Sequence, residues 1–127
     1  MNLVAVTEAN FKDLVGADST VVLDFWAPWC GPCKGFAPIL EAAAAKHPAL
    51  CFGKVDTDEE QSLAEAFGIR SVPTLMIIRE RILVARHSGA MSAAELEAMI
   101  EQARLIDMDD LRAELAAAEG DSDAIDH

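Results

Sequence analysis

The sequence predicts one α/β domain in which a central mixed β-sheet is flanked by helices on both faces. Strand-like and helix-like segments alternate along most of the 127 residues, and this alternation is typical of parallel strands joined by helices. The segment from Thr20 to Trp26 is apolar on both faces, as expected for a central strand covered on each side. The last two strand segments are closely spaced, which predicts an antiparallel hairpin.

Strands are predicted where β-branched and aromatic residues fall between turn residues. In the central strand, Val21, Leu23 and Phe25 lie on one face, and Val22 and Trp26 lie on the other. The first strand is short and is expected at a sheet edge. The five predicted strands cover residues 3–6, 20–26, 50–55, 74–79 and 82–87.

Helices are predicted from apolar residues at helical spacing and from capping residues. Thr7 is expected to cap the first helix and Asp58 the third, while Ser92 and Glu95 form a capping-box sequence before the fourth. A fifth helix would follow, and the chain after it is expected to be disordered. The predicted helices end near residues 15, 46, 67, 103 and 118, and disorder is expected over 119–127.

Composition excludes several classes of function. A net charge of −12 argues against binding to nucleic acid or to anionic membranes, which need a basic surface. The longest apolar stretch, from Thr20 to Trp29, is interrupted by Asp24 and is too short to span a bilayer. The N-terminus lacks the features of a secretory signal, so we expect a cytoplasmic protein.

The C-terminal segment is expected to form an acidic extension, 105–127, outside a domain that covers 1–104. Eight acids and two arginines follow from position 104 onward, which is typical of a solubilising tail. An apolar face at helical spacing suggests instead that the extension docks on its own domain or on a second copy. A monomer is expected, with a dimer through the extension as the alternative. The residues of that face are Leu105, Ile106, Met108, Leu111 and Leu115.

The three cysteines are Cys30, Cys33 and Cys51. An odd number does not describe a structural disulfide framework, so the close Cys-x-x-Cys pair indicates redox chemistry or metal binding. A structural zinc site needs four ligands. The remaining candidates, Cys51, His47 and His87, are scattered along the chain, so no metal site is predicted. Cys51 is interpreted as a small buried residue of a central strand.

The Cys30–Cys33 pair lies between a buried strand and a helix, with Pro32 suited to the first helical turn. Disulfide exchange requires a thiolate, and the free N–H groups and dipole at a helix N-terminus favour that charge on Cys30. The two-residue spacer turns Cys33 towards Cys30, so Cys33 can attack a mixed disulfide and release the reduced substrate.

Asp24 and Pro73 are unusual for their positions. A carboxyl group buried in an apolar strand has a raised pKa, and one titrating near neutrality can accept the Cys33 proton, through a water molecule. The alternative is that strand twist carries Asp24 to solvent. Pro73 is compatible either with an ordinary first strand residue or with a cis bond that turns its loop towards the cysteines, and the sequence does not choose between them.

Several segments together resemble the thioredoxin family over about Leu3 to Ala103. They are Asp24-Phe-Trp-Ala-x-Trp-Cys-Gly-Pro-Cys-Lys, Ala37-Pro38, Lys54-Val-Asp56, Gly68-Ile-Arg-Ser-Val-Pro73-Thr and Gly89. The resemblance implies a thioredoxin fold and a protein-disulfide reductase of the reducing type. It implies no cofactor beyond the redox-active disulfide, oxidised proteins as substrates, and a flavin-dependent thioredoxin reductase as electron donor.

The resemblance also implies roles for single residues. Cys30 would be the nucleophile, Cys33 the resolving cysteine and Asp24 the proton acceptor, with Lys54 tuning the charge of Asp24. Pro73 would be cis, and the backbone at Val72 would pair with an extended substrate segment. Besides Pro73, the partner-binding residues would be Trp29, Gly31, Pro32, Val72, Thr74, Gly89 and Ala90.

The sequence departs from the family at the last hairpin, where Arg79-Glu80-Arg81 replaces the usual glycine turn and requires a different one. The segment after Ala103 also lies beyond the usual end of the family. The alternative function is therefore a binding or co-chaperone module that uses the C-terminal helix.

Overall fold

A computed structural model describes residues 2–16 and 18–125, with side chains described as far as Glu119. Five strands and five helices alternate much as expected. In chain order they are β1 (Leu3–Ala5), α1 (Phe11–Leu14), β2 (Thr20–Trp26), α2 (Gly31–Lys46), β3 (Cys51–Asp56), α3 (Gln61–Ala66), β4 (Thr74–Arg79), β5 (Ile82–Ser88), α4 (Ala93–Arg104) and α5 (Met108–Ile125).

The five strands form one mixed sheet in the order β1-β3-β2-β4-β5. Strands β1, β3 and β2 are parallel, whereas β4 runs antiparallel to both β2 and β5. This confirms the predicted sheet with its terminal hairpin. The register places Asp24 of β2 beside Lys54 of β3 and Leu75 of β4, so these three side chains share one face of the sheet.

Strand β2 separates two apolar clusters, as its two apolar faces predict. On one face Val22 packs with buried residues of α2 and α4, among them Phe36 and Leu96. On the other face Val21, Leu23 and Phe25 pack with residues of α1 and α3. Asp24 alternates onto the first face and is 1% exposed. The central position of β2 therefore buries the one carboxyl group that it carries.

The starts of α1 and α3 differ from the prediction because short polar side chains hold local turns. Thr7 caps a turn that leads into α1, because its Oγ1 accepts the Asn10 N–H at 3.3 Å and its N–H donates to Asn10 Oδ1 at 2.8 Å, while the helix itself begins only at Phe11. The predicted Asp58 cap is wrong, since the N-cap of α3 is Glu60. The Asp58 N–H donates to Asp56 Oδ1 at 2.9 Å, and this Asx turn delays the helix.

The hairpin turn between β4 and β5 has left-handed backbone at two residues that are not glycine. Glu80 has φ 53° and Arg81 has φ 69°, and positive φ at both central positions is the signature of a type I′ turn. The turn is joined to the C-terminal segment, because Glu80 forms an ion pair with Arg112 of α5. The different turn that the sequence requires here is thereby identified.

Helix α5 is longer than predicted, because it runs through Ile125 and not only to residue 118. The alanines at 116–118 favour continuation of the helix, whereas Gly120, Asp121 and Ser122 do not. The expected disorder over 119–127 stays a prediction, and residues 126 and 127 lie outside the described residues. The assignment of 105–127 to a separate extension stays a prediction. Within the described chain, no helix is both long and apolar enough to cross a membrane.

Candidate active site

The redox centre is the Cys30–Cys33 disulfide at the start of α2. Cys30 is the N-cap of this 16-residue helix, and its Sγ accepts a hydrogen bond from the Cys33 N–H at 3.2 Å. After reduction, the same N–H group and the positive end of the helix dipole stabilise a thiolate on Cys30. The predicted pairing of the two cysteines across the first helical turn is confirmed.

Both cysteines are more buried than expected for an exposed nucleophile, with 3% of each residue accessible. Ala27 is buried with them, and Trp26 and Val72 pack against this small cluster. Trp29, directly before Cys30, is in contrast 71% exposed. The nearly buried disulfide therefore lies beside a large exposed aromatic side chain.

The loop before β4 approaches the disulfide. The Val72–Pro73 peptide bond is cis, which decides between the two interpretations of Pro73. The carbonyl oxygen of Val72 lies 3.7 Å from Cys30 Sγ. The Pro73 carbonyl accepts the Gly89 N–H at 2.8 Å, so the start of β4 and the end of β5 are held together beside the cysteines.

Asp24 is buried on the same face of the sheet as Trp26, and strand twist does not carry it to solvent. Neither carboxylate oxygen has a hydrogen-bond partner among the described residues. Desolvation by burial raises the Asp24 pKa from 3.8 to about 6, against the opposing effect of the Lys54 charge. The Lys54 ammonium lies 4.6 Å from the centre of the Trp26 ring. The raised pKa expected from the sequence is thus confirmed.

The residues predicted to bind partners differ in their exposure to solvent. Trp29, Gly31, Pro32 and Ala90 are exposed, and Val72 and Gly89 are half-buried. Thr74 is 1% exposed, so its side chain is buried in the free protein, and its role as a contact residue stays a prediction. Its hydroxyl donates to the Ser71 carbonyl at 2.7 Å. Thr74, like the buried Pro73, therefore shapes the loop from within.

One feature of the site was not predicted, namely a contact between Trp29 and Asp58. The indole Nε1 donates to Asp58 Oδ1 at 3.4 Å, which fixes one edge of the exposed ring. The sequence predicts Asp58 only as a helix cap. No local sequence signal indicates the contact, since the two residues are 29 positions apart.

Outside the site, the described cysteines and histidines form no second chemical centre. Cys51 is half-buried and unpaired, and burial raises its thiol pKa. His47 pairs with Glu97 through an Nε2–Oε2 distance of 2.7 Å. In the parts of the chain that the structure describes, His, Cys, Asp and Glu side chains form no group of three suited to a metal ion.

Comparison with known proteins gives a consistent result. The Thioredoxin family model matches residues 2–102. A Streptomyces coelicolor protein provisionally named thioredoxin 2 is 50% identical over 113 residues, which are 89% of this chain and 84% of the relative. Thioredoxin of Pseudomonas aeruginosa is 38% identical over 102 residues, 79% of this chain and 94% of the relative.

A solved structure agrees with these relatives. Reduced Schistosoma mansoni thioredoxin pre-protein superposes with a TM-score of 0.73 at 33% identity, covering 80% of this chain and 98% of the other. The matched segments include the Cys-Gly-Pro-Cys pair at disulfide distance. The chain therefore belongs to the thioredoxin family and is a thiol–disulfide oxidoreductase that reduces protein disulfides.

Proposed function

We propose that this chain carries electrons from a thioredoxin reductase to oxidised proteins in the cytoplasm, through its Cys30–Cys33 pair. The observation that carries the proposal is the disulfide at the N-terminus of α2, where reduction leaves a stabilised thiolate. Thioredoxin reductase is the usual partner of the family, which supports its place as electron donor. A purely binding or co-chaperone role is not favoured, because the redox pair is intact.

The reaction proceeds by two disulfide exchanges. The Cys30 thiolate attacks one sulfur of the substrate disulfide, a mixed disulfide forms, and the second substrate sulfur leaves as a thiolate. Cys33 then loses its proton and attacks Cys30 Sγ, which releases the first substrate sulfur. The substrate gains two electrons and two protons, and the Cys30–Cys33 disulfide is regenerated for reduction by the donor.

Asp24 is proposed as the acceptor of the Cys33 proton. With a pKa of about 6, its carboxyl group is mainly ionised at neutral pH yet basic enough to take a proton during the attack. The positive charge of Lys54 opposes the effect of burial on this pKa. Lys54 therefore keeps Asp24 available as a base in an apolar environment.

Substrates are proposed to dock beside the disulfide as an added extended segment. The half-buried Val72 offers its backbone at the cis-proline loop, and backbone pairing of this kind accepts many sequences. Apolar contacts would come from the exposed Trp29, Gly31, Pro32 and Ala90 and from Gly89. Pairing through the backbone accounts for a reductase that serves more than one protein.

The test of this function is the reduction of insulin disulfides driven by dithiothreitol, with the native chain and Cys30→Ser compared. The native chain is expected to accelerate reduction, and the variant, which lacks the nucleophile, is expected to give no acceleration over dithiothreitol. Native activity no better than dithiothreitol alone would reject the general reductase and favour a specialised partner.

The proposed role of Asp24 has its own test. Asp24→Asn keeps the size of the side chain but cannot accept the proton, so insulin reduction should be slower at neutral and alkaline pH without being abolished. The difference should shrink below about pH 6, where the native carboxyl group is itself protonated. Equal rates for the two proteins across about pH 6 to 9 would remove Asp24 from the mechanism.

A further inference from the structure

We infer that Arg86 is a positioning residue for substrate docking, because it holds the C-terminal end of α3 from which the cis-proline loop begins. The inference rests on the proposed function, since the loop matters only if substrates dock there. Arg86 lies on β5 opposite Met76 of β4, away from the cysteines. Its effect on the reaction would be exerted through the segment from Gly68 to Pro73.

The contacts of Arg86 are directed at backbone carbonyls. Its Nη1 donates to the Phe67 carbonyl at 2.8 Å, and its Nη2 donates to the Gly68 carbonyl at 3.0 Å. Among the residues that the structure describes, no carboxylate lies within ion-pair distance of Arg86. Although the chain has 22 acidic residues, the Arg86 guanidinium bonds to backbone carbonyls at the end of a helix and not to a carboxylate.

The end of α3 is closed by a capping motif, to which the bonds from Arg86 are added. Gly68 has φ 64°, and the N–H groups of Gly68 and Ile69 bond to the carbonyls of Glu65 and Ala64 at 3.0 and 2.9 Å. This is the Schellman pattern that closes a helix. Arg86 contacts the carbonyls of Phe67 and Gly68, which come later in the chain than the two carbonyls that the motif uses. Its positive charge therefore lies at the negative end of the helix dipole.

Helix α3 and its C-terminal end are otherwise held by side-chain packing, because Leu63, Phe67 and Ile69 contact the apolar cluster around Phe25. The helix has six residues, none of them buried, and a helix this short is unstable without tertiary contacts. The Phe67 ring packs against Phe25 with the ring centres 5.6 Å apart, and this contact anchors the side chain. The two bonds from Arg86 fix the backbone at the same point.

The link from Arg86 to the active site is short. Val72, whose carbonyl oxygen lies 3.7 Å from Cys30 Sγ, comes four residues after Gly68. The far end of the loop is already fixed by the bond from the Gly89 N–H to the Pro73 carbonyl. Arg86 therefore fixes the near end, and without it the backbone that pairs with substrate is less well ordered before docking.

The chain provides a matched control in Arg79. Its Nη1 donates to the carbonyls of Ala103, Arg104 and Ile106 at the end of α4, at 3.1, 3.1 and 2.8 Å. Arg79 and Arg86 thus belong to the same hairpin and contact the ends of different helices, but only Arg86 contacts the helix that leads to the cis-proline loop. Arg79→Gln removes three such bonds and the ion pair with Glu80, whereas Arg86→Gln removes two, so the control is the more disruptive of the two changes.

The experiment compares native protein, Arg86→Gln, Arg86→Lys and Arg79→Gln with two substrates, insulin and the small disulfide dithiobis(nitrobenzoate). Arg86→Gln is expected to raise the KM for insulin about three- to tenfold with kcat unchanged. Its rate with the small disulfide should stay native, because that substrate pairs with no backbone. The KM of Arg86→Lys for insulin should lie between those of the native protein and Arg86→Gln. Arg79→Gln should change thermal stability but not this KM.

Amide hydrogen exchange of residues 69–72 gives a readout that does not depend on activity. Exchange there should be faster in Arg86→Gln than in native protein or Arg79→Gln. An unchanged KM for insulin, or an equal loss with both substrates, would overturn the positioning role, as would native exchange over 69–72. If the native chain failed to reduce insulin, the proposed function would fall, and the exchange rates would still decide whether Arg86 holds the loop.

Discussion

Asp24 lies in the middle of the central strand, and the burial that suits it to proton transfer also affects stability. Its pKa is 3.8 without perturbation and about 6 in the folded protein. Between these values the folded chain binds more protons than the unfolded chain, so the free energy of unfolding decreases as pH rises. A difference of about two pKa units corresponds to a destabilisation of about 3 kcal/mol. This destabilisation is fully present above the pKa of the folded protein.

Asp24→Asn is therefore expected to stabilise the oxidised protein at about pH 7 by up to about 3 kcal/mol. The gain should shrink as pH falls through about 6 and should vanish below about 4, where both states of the native protein carry a neutral carboxyl group. Urea unfolding at several pH values measures this. A gain that is independent of pH would show that ionisation of Asp24 is not its cause.

At the scale of single residues, the sequence predicts those site residues that differ from the neighbouring residues of their own segment. The cysteine pair and Asp24 are recognisable because each is unusual within its own segment. The contacts of Trp29 with Asp58 and of Arg86 with Phe67 are not, since they join residues 29 and 19 positions apart. Such contacts depend on how the chain folds back on itself, and the identity of the residues does not predict them.

At the scale of elements, strands were predicted better than helix starts. A strand of a central sheet is determined by burial on its faces, which the alternation of apolar residues records. A helix start is determined by competition between the helix and local side chain–backbone bonds. The turns at Asn10 and Asp56 win that competition, and α1 and α3 are shorter than their apolar patterns predict.

The turn between β4 and β5 contains left-handed backbone at residues other than glycine, and a substitution by glycine can relieve this strain. Arg81, at φ 69°, is exposed and has no ion-pair partner among the described residues. Left-handed backbone costs about 1–2 kcal/mol for a residue other than glycine. Arg81→Gly is therefore expected to raise the free energy of unfolding by about 1 kcal/mol, measured by denaturant unfolding.

Arg81→Ala is the matched control, because it removes the same side chain and keeps the left-handed strain. It should be no more stable than the native protein. Glu80→Gly should gain less than Arg81→Gly, since it also breaks the ion pairs that Glu80 forms with Arg79 and Arg112. Equal stability of Arg81→Gly and Arg81→Ala would show that the turn is not strained.

At the scale of the whole molecule, the described contacts of the C-terminal segment with the rest of the protein lie near its beginning. Ile106 accepts a hydrogen bond from Arg79, Met108 is 6% exposed, and Arg112 pairs with Glu80. From position 113 to 119 every residue is exposed. Among the residues whose side chains are described, the contacts that join this segment to the sheet therefore end at Arg112, whereas most of the segment's negative charge follows that residue.

Two shortened chains test separately the part of the segment that contacts the sheet and the exposed acidic part that follows it. A chain ending at Arg112 keeps every contact with the hairpin turn and is expected to unfold within about 0.5 kcal/mol of the native protein. A chain ending at Arg104 loses the bond from Arg79 to Ile106, the burial of Met108 and the Arg112–Glu80 pair. Together these losses are expected to cost about 2–3 kcal/mol, which denaturant unfolding measures.

Both shortened chains should reduce insulin at the native rate under conditions in which they are folded, because no residue after Arg104 belongs to the proposed site. Activity lost in the chain ending at Arg112, with stability unchanged, would contradict this expectation. The acidic half of α5 would then have to contact the substrate or the electron donor directly, since its removal alters no described contact with the sheet. In that case the binding role considered for the C-terminal helix would be part of the reductase itself.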